Sequence, residues 1–147
     1  MSPRILLVED NDDDVALTLR AFERNKLREQ VAVARDGREA LDFILCEGQH
    51  AGRDPSRMPD LILLDLNLPR MGGLQVLERL RQHLPSRYVP VVVLTSSVEE
   101  RDIAESYRLG ANSYVQKPVD FAQFLEATRD LGAYWLSLNR RVPPNVR

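Results

Sequence analysis

The sequence has little of several features that would assign it to a secreted, membrane-bound or disulfide-stabilised class. Its 147 residues include one cysteine, Cys46, which excludes an internal disulfide and fits a reducing cytosol. No apolar run approaches the length of a membrane span, and the start Met-Ser-Pro-Arg leaves no room for a signal peptide before the first strand. We therefore expect a cytoplasmic protein without a membrane partner.

The chain also lacks an excess of charge of one sign. Its 20 basic and 22 acidic residues give a net charge of -2, so there is no electrostatic footprint for nucleic acid, and we expect no nucleic-acid partner. Hydrophobic residues make up 44% of the sequence, which is ordinary for a globular protein. The length fits one domain with a sizeable core.

Short apolar runs alternate with stretches of helical periodicity, and this alternation repeats five times. Such alternation predicts an α/β fold with a parallel sheet and helices on both faces. The first, third and fourth runs are almost wholly apolar, as central strands should be, whereas the second and fifth are shorter and more polar. The sequence therefore predicts a doubly wound, flavodoxin-like (βα)5 sandwich with strand order 2-1-3-4-5.

Four of the runs end in polar residues that suit phosphoryl chemistry. These residues are Glu9-Asp10, Asp65, Thr95 and Lys117. Because the carboxyl ends of parallel strands meet at one edge of a sheet, we expect three acids, a hydroxyl and an ammonium to share one cleft. Acids that lie this close need a proton or a cation, and hard carboxylate oxygens suit Mg²⁺.

Within this cleft Asp65 is the candidate nucleophile, which would form an aspartyl phosphate. Lys117 would offset its charge and Thr95 would donate to a phosphate oxygen. A cis bond between Lys117 and Pro118 is one way to aim the ammonium inward. Each residue alone has a simpler interpretation: Asp10 as a helix cap, Glu9 as a solvated acid, Lys117 as a surface lysine and Thr95 as a strand-end cap.

The order and spacing of these motifs resemble the receiver domain of two-component response regulators, over about residues 4–138. The motifs are Glu9-Asp10, Asp65 within Leu-Asp-Leu-Asn-Leu-Pro, Thr95-Ser96 and Lys117-Pro118, with further matches at Asp36-Gly37, Met71-Gly72-Gly73 and Gly110-Ala111. Within the family, the chain is most similar to the phytochrome-associated single-domain regulators. The acidic start, the long loop 47–59 and the extended C-terminus carry this narrower resemblance.

The resemblance implies that Asp65 accepts a phosphoryl group from a sensor histidine kinase, for which a phytochrome is a candidate. It implies Mg²⁺ bound by the Asp10 and Asp65 side chains, by the Asn67 backbone carbonyl and, through water, by Glu9. Thr95, Ser96 and Lys117 would hold phosphoryl oxygens, and Tyr114 would act with Thr95 as a switch. Gly73 and Pro118 would have structural roles. Such a protein is a signalling phosphoacceptor and not an enzyme.

The regions outside the motifs lead to expectations about domains, output and assembly. We expect a receiver domain over residues 1–139, a tail over 140–147, no output domain, and signalling through protein contacts.

A last helix over 121–138 would overhang the sheet, with its apolar residues exposed at the end. Those residues are Tyr134, Trp135, Leu136 and Leu138. With the resemblance, this overhang predicts a homodimer through helix 4, strand 5 and helix 5.

Three other functions are possible for the same residues. A haloacid-dehalogenase-type phosphatase needs a second Asp two residues after Asp65, where this chain has Asn67. A flavodoxin-like flavin binder needs a Ser/Thr/Gly-rich phosphate loop after the first strand, where this chain is acidic. A receiver that binds partners without phosphorylation would not need the full motif set.

Asn67 and Ser97, which flank the path of a hydrolytic water, predict modest self-dephosphorylation.

Overall fold

The computed structural model describes residues 3–143, except for the side chain of Glu29, and contains five parallel strands that alternate with five α-helices. The strands are β1 (Ile5–Val8), β2 (Val31–Ala34), β3 (Leu61–Leu64), β4 (Val91–Thr95) and β5 (Ser113–Gln116). The helices are α1 (Asp12–Arg24), α2 (Gly37–Leu45), α3 (Gly73–Gln82), α4 (Glu100–Arg108) and α5 (Phe121–Ala133).

The strand order is β2-β1-β3-β4-β5, which confirms the predicted topology. In the register, Val8 at the end of β1 lies beside Ala34 of β2 and Leu64 of β3. Every residue of β1, β3 and β4 is buried, whereas three residues of β2 are only partly buried and β5 has no fully buried residue. Continuous apolar runs therefore mark the central strands, because both of their faces are covered by helices.

Helices α1 and α2 begin at polar side chains that cap them. Asn11 accepts a hydrogen bond from the backbone N–H of Asp14 (3.0 Å), and Asp36 accepts one from that of Glu39 (2.7 Å). These caps satisfy backbone donors that the first turn of a helix leaves free. They place the starts of α1 and α2 directly beyond the carboxyl ends of β1 and β2.

One hydrophobic core lies on each face of the sheet. On one face, Leu41 of α2 and Leu77 of α3 pack against the even-numbered residues of β1 and β3. On the other face, Phe22 of α1 and Leu131 from α5 pack against the odd-numbered residues of the same strands. The two-residue periodicity of the strands divides the apolar side chains between these cores.

The C-terminal part of the chain differs from the predicted exposed overhang. The α-helix ends at Ala133, and a π-helical turn over Tyr134–Leu138 completes the predicted helical stretch. Trp135 and Leu136 pack against the chain's own core, so their predicted exposure is wrong, whereas Tyr134 and Leu138 are 48% and 72% exposed. The π turn leaves only part of the apolar set at the surface.

The predicted tail also makes contacts with the domain. Residues 139–143 have no regular secondary structure, as expected, and residues 144–147 lie outside the described part. However, Arg141 forms an ion pair with the largely buried Asp60 at 2.5 Å, and Asp60 also pairs with Arg4 at 2.5 Å. One buried carboxylate therefore joins the start of β1, the segment before β3 and the C-terminal segment.

Helix α4 is followed by Gly110 with a φ of +108°, a left-handed conformation that favours glycine at a helix end. The predicted loop 47–59 contains a single 3-10 turn, Gly48–His50. None of the helices within residues 3–143 combines the length and apolar composition that crossing a membrane requires.

Candidate functional site

Asp65 follows β3 directly, at the carboxyl edge of the sheet, and is only 6% exposed. One carboxylate oxygen accepts hydrogen bonds from the Thr95 hydroxyl (2.8 Å) and from the backbone N–H of Asn67 (3.2 Å). The other carboxylate oxygen accepts from the ammonium of Lys117 at 3.0 Å. These donors fix the orientation of the carboxylate and favour its charged form.

Lys117 is placed by the end of β5, where its backbone N–H donates to the Thr95 carbonyl at 2.9 Å. Its ammonium lies 2.6 Å from Glu9 and 2.8 Å from Asp14, in addition to its contact with Asp65. No cis peptide bond occurs in residues 3–143, so a cis bond before Pro118 is not the means by which Lys117 is aimed inward. The side chain of Lys117 enters the site from a trans backbone.

The acids at the ends of β1 and β3 form a cluster with the geometry of a cation site. Glu9, Asp10 and Asp65 each present an oxygen, and these oxygens lie within 4.8 Å of one another. Glu9 is 3% exposed, whereas Asp10 is open to solvent. Hard carboxylate oxygens at this spacing, with one side open to water, fit a small divalent cation such as Mg²⁺ that keeps part of its hydration shell.

Burial, hydrogen bonds and neighbouring charges shift the pKa values of Glu9 and Asp65 in opposite directions. Burial raises the pKa of Glu9 to about 7, and the neighbouring charge of Asp65 adds to this effect. Burial alone would also raise the pKa of Asp65, but hydrogen bonding with Glu9 and the charge of Lys117 lower it below its usual value. Although burial opposes it, hydrogen bonding to Asp14 and Glu9 raises the pKa of Lys117. Of the pair Glu9 and Asp65, Asp65 is therefore the one that stays charged.

The segment after β4 connects the site to Tyr114 on β5. Thr95 is fully buried and Ser96 beside it is exposed. The Tyr114 hydroxyl donates to the backbone carbonyl of Ser97 at 3.0 Å, and the Ser97 hydroxyl donates to Asp102 of α4 at 2.6 Å. The partly buried Tyr114 ring is thereby linked through this segment to Thr95 and to α4.

A glycine is required where α3 passes the backbone of Asp65. The backbone N–H of Gly73 donates to the Leu66 carbonyl at 3.0 Å. A Cβ atom at Gly73 would lie 2.4 Å from the Asp65 carbonyl oxygen, which is too close for any side chain. The close approach explains the predicted structural role of Gly73. Asn67, the other predicted residue in this loop, is exposed.

The structure brings together the residues that the strand-end argument selected: Glu9, Asp10, Asp65, Thr95 and Lys117. It adds Asp14, which lies in the first turn of α1 with two other acids, Asp12 and Asp13. Asp14 contacts Lys117 because α1 begins directly after the acidic pair and turns its first residues over the site. The sequence places Asp14 in the first turn of that helix, close to the site, but does not show which of the three acids of the turn faces Lys117.

The chain belongs to the response regulator receiver domain family, whose match covers residues 5–129. It is 40% identical over 141 residues to the probable methanogenesis regulatory protein FilR2 from Methanothrix harundinacea, covering 95% of this chain and 88% of FilR2. It is 35% identical over 132 residues to response regulator Rcp1 from Synechocystis sp., covering 90% of this chain and 88% of Rcp1. The family confirms the resemblance drawn from the motifs.

Solved structures support the narrower resemblance to phytochrome-associated regulators. The phosphorylated cyanobacterial phytochrome response regulator RcpA has a TM-score of 0.88 and 36% identity, with 97% of this chain and 100% of RcpA covered. The bacteriophytochrome response regulator RtBRR has a TM-score of 0.76 and 49% identity, with 99% and 87% covered. Rcp1 has been solved in a Mn²⁺-bound form, with a TM-score of 0.84 and 30% identity over 96% of this chain and 100% of that one.

Proposed function

We propose that the protein receives a phosphoryl group on Asp65 from a phosphohistidine of a sensor histidine kinase and signals through protein contacts. The observation that carries the proposal is the Asp65 carboxylate itself. Thr95 and Lys117 hold its two oxygens from separate strands, at 2.8 and 3.0 Å, and the acids of β1 lie beside it. This is a charged, oriented nucleophile with a cation site at its side.

In the proposed reaction, an Asp65 oxygen attacks phosphorus and forms the new P–O bond. The P–N bond to the kinase imidazole breaks, and the imidazole keeps the electron pair and takes a proton. Lys117 and Thr95 exchange their bonds to Asp65 for bonds to the phosphoryl oxygens. The exposed Ser96 directly follows Thr95 at the end of β4. A Mg²⁺ ion held by Glu9, Asp10, Asp65 and the Asn67 carbonyl would neutralise charge on the transferred group.

The proposed kinase is of the phytochrome type. The support is the high coverage and identity of this chain to RcpA and RtBRR, which are both phytochrome response regulators. FilR2, a methanogenesis regulator, is also 40% identical, so similarity alone does not select the input signal. Phosphotransfer profiling against the sensor kinases of the source cell tests this assignment: preferential transfer from a non-phytochrome kinase would reject it.

We infer that the face made by α4, β5 and α5 is the output surface and forms a homodimer. Tyr114 links this face to the site, and exposed apolar residues lie on α4, in the segment before it and in the segment between β5 and α5. They are Val98 (59% exposed), Tyr107 (50%) and Val119 (102%). Light scattering of the unphosphorylated and phosphorylated protein tests the dimer. A protein that remains monomeric in both forms at high concentration would reject it.

The phosphoacceptor assignment is tested with acetyl phosphate as a small phosphodonor. We expect the parent to gain one labile acyl phosphate, and Asp65→Asn and chelation of Mg²⁺ each to abolish it. Asp13→Asn is a matched control, because Asp13 is an exposed acid of α1 outside the cluster, and it should be labelled like the parent. Labelling that survives Asp65→Asn would reject the assignment.

A further inference from the structure

A cavity lies at the opposite edge of the sheet from Asp65. Pro90 and Asn112, which directly precede β4 and β5, line it, so it adjoins the amino ends of these strands. A strand of five residues spans roughly 17 Å, which separates this cavity from the acid cluster. Its volume is about 350 Å³, within the range of small-molecule sites.

The walls of this cavity carry positive charge and no acidic residue. Four arginines line it: Arg81, Arg87, Arg140 and Arg141. Arg141 pairs with Asp60, but within residues 3–143 no carboxylate lies in ion-pair distance of Arg81, Arg87 or Arg140. We call this cavity the arginine pocket.

Arg81 is partly buried, whereas the other three arginines of the pocket are exposed, and it has no carboxylate partner. Its guanidinium donates only to neutral acceptors, which are backbone carbonyls of the 86–89 segment and of Gly110, and the Asn112 side chain, at 2.7 to 3.2 Å. Burial lowers the pKa of this group, as expected for a cation whose lost hydration no carboxylate replaces. An anion bound by the neighbouring arginines would supply the missing charge at a distance, because the N–H donors of Arg81 are already engaged.

The pocket also offers aromatic surface beside its cations. Trp135 and Tyr88 both line it, and the Arg87 guanidinium lies 5.6 Å from the centroid of the Tyr88 ring. Guanidinium groups bind phosphate through several N–H donors, and aromatic rings stack on planar bases. The side chain of Asn139 adds an amide that suits the polar edge of a base, whereas the side-chain oxygen of Asn112 already accepts from Arg81 and from the Val91 backbone.

From this combination we propose that the arginine pocket binds a phosphate-bearing small molecule with a planar ring, that is, a nucleotide. The volume suits a mononucleotide. The C-terminal segment, fastened by the ion pair between Arg141 and Asp60, covers one side of the cavity, which favours a small molecule over an extended acidic peptide. Arg87 and Arg140 provide the phosphate contacts, since neither has a carboxylate partner, and Trp135 or Tyr88 the ring contact.

The single tryptophan of the chain, Trp135, makes the test direct, because it lines this pocket and its fluorescence responds to a ligand bound there. The four nucleoside 5′-monophosphates are titrated in metal-free buffer, which keeps Mg²⁺ out of the acid cluster. We expect saturable quenching by at least one nucleotide, and at least tenfold weaker binding after combined Arg87→Gln and Arg140→Gln. Arg101→Gln is the control, since Arg101 is an exposed arginine of α4 outside the pocket.

Ligands that carry only the phosphate, only the nucleoside or only negative charge decide which part of the proposal holds. Inorganic phosphate and the nucleosides should each bind at least tenfold more weakly than the preferred nucleotide. Equal binding of inorganic phosphate, or of a poly-glutamate peptide, would overturn the nucleotide assignment. Absence of saturable quenching by any nucleotide at millimolar concentration, or equal loss in the Arg101→Gln control, would overturn the site. Failure here leaves phosphorylation of Asp65 unaffected, because the two sites lie at opposite edges of the sheet.

Discussion

The affinity for Mg²⁺ should fall as the pH drops through about 7, because a proton competes with the cation for Glu9. Burial raises the pKa of Glu9 to about 7, and the charge of Asp65 adds to the shift. A cation next to Glu9 favours the deprotonated carboxylate, so binding releases a proton whenever the free site is protonated. The effect is confined to Glu9, since the pKa of Asp65 is lowered.

The size of this effect follows from the titration of one group. With a pKa of about 7, Glu9 is mostly charged at pH 8 and mostly protonated at pH 6. The apparent dissociation constant should therefore rise roughly tenfold from pH 8 to pH 6, and by about tenfold more for each further unit until Asp65 also titrates. Above about pH 8 the affinity should be constant.

Isothermal titration of Mg²⁺ into the protein at several pH values measures this dependence, with buffers of different ionisation enthalpy to count released protons. Glu9→Gln is the matched control: it should bind Mg²⁺ more weakly, but with an affinity that does not change between pH 6 and pH 8. An affinity of the parent that is constant over this range would refute the reasoning. A pH dependence that survives in Glu9→Gln would also refute it, since the proton would then belong to another group.

Two further predictions concern the residues around Asp65. Gly73→Ala should destabilise the fold by about 1–3 kcal/mol and slow phosphorylation, because its Cβ would lie 2.4 Å from the Asp65 carbonyl oxygen. Gly72→Ala, whose Cβ meets nothing closer than 3.9 Å, should change neither the stability nor the phosphorylation rate. Urea unfolding measures the stability, and labelling with acetyl phosphate measures the rate. Ser97→Glu should shorten the lifetime of the acyl phosphate, because Ser97 is too short to orient a water and its hydroxyl is bound to Asp102. A lifetime equal to that of the parent would contradict this reasoning.

Much of the fold could be predicted because the central strands are buried on both faces. A strand in this position must be apolar along its whole length, so the runs at β1, β3 and β4 were visible without any structure. The edge strands followed from their polarity. The site followed from the same rule, because residues that directly follow parallel strands must meet at one edge of the sheet, as Glu9, Asp65, Thr95 and Lys117 do.

The features that the sequence did not reveal depend on rotations and contacts between distant segments. The contact of Asp14 with Lys117 depends on how α1 is rotated over the sheet, which helical periodicity alone does not fix. The packing of Trp135 onto the core depends on the π-helical turn, for which the sequence has no clear signal. The pair between Arg141 and Asp60 joins segments 81 positions apart, so charge counting could not identify it.

The central claim is that Asp65 is the phosphoacceptor, and locating the acyl phosphate along the chain tests it most directly. Protein phosphorylated in the presence of Mg²⁺ is reduced with borohydride, which converts a phosphoaspartate into homoserine, and tandem mass spectrometry then reads the modified position. We predict homoserine at position 65 and at no other acidic residue. Modification at Glu9, Asp10 or Asp14 in place of Asp65, or a phosphoryl group retained on His50 or His83, would contradict the account.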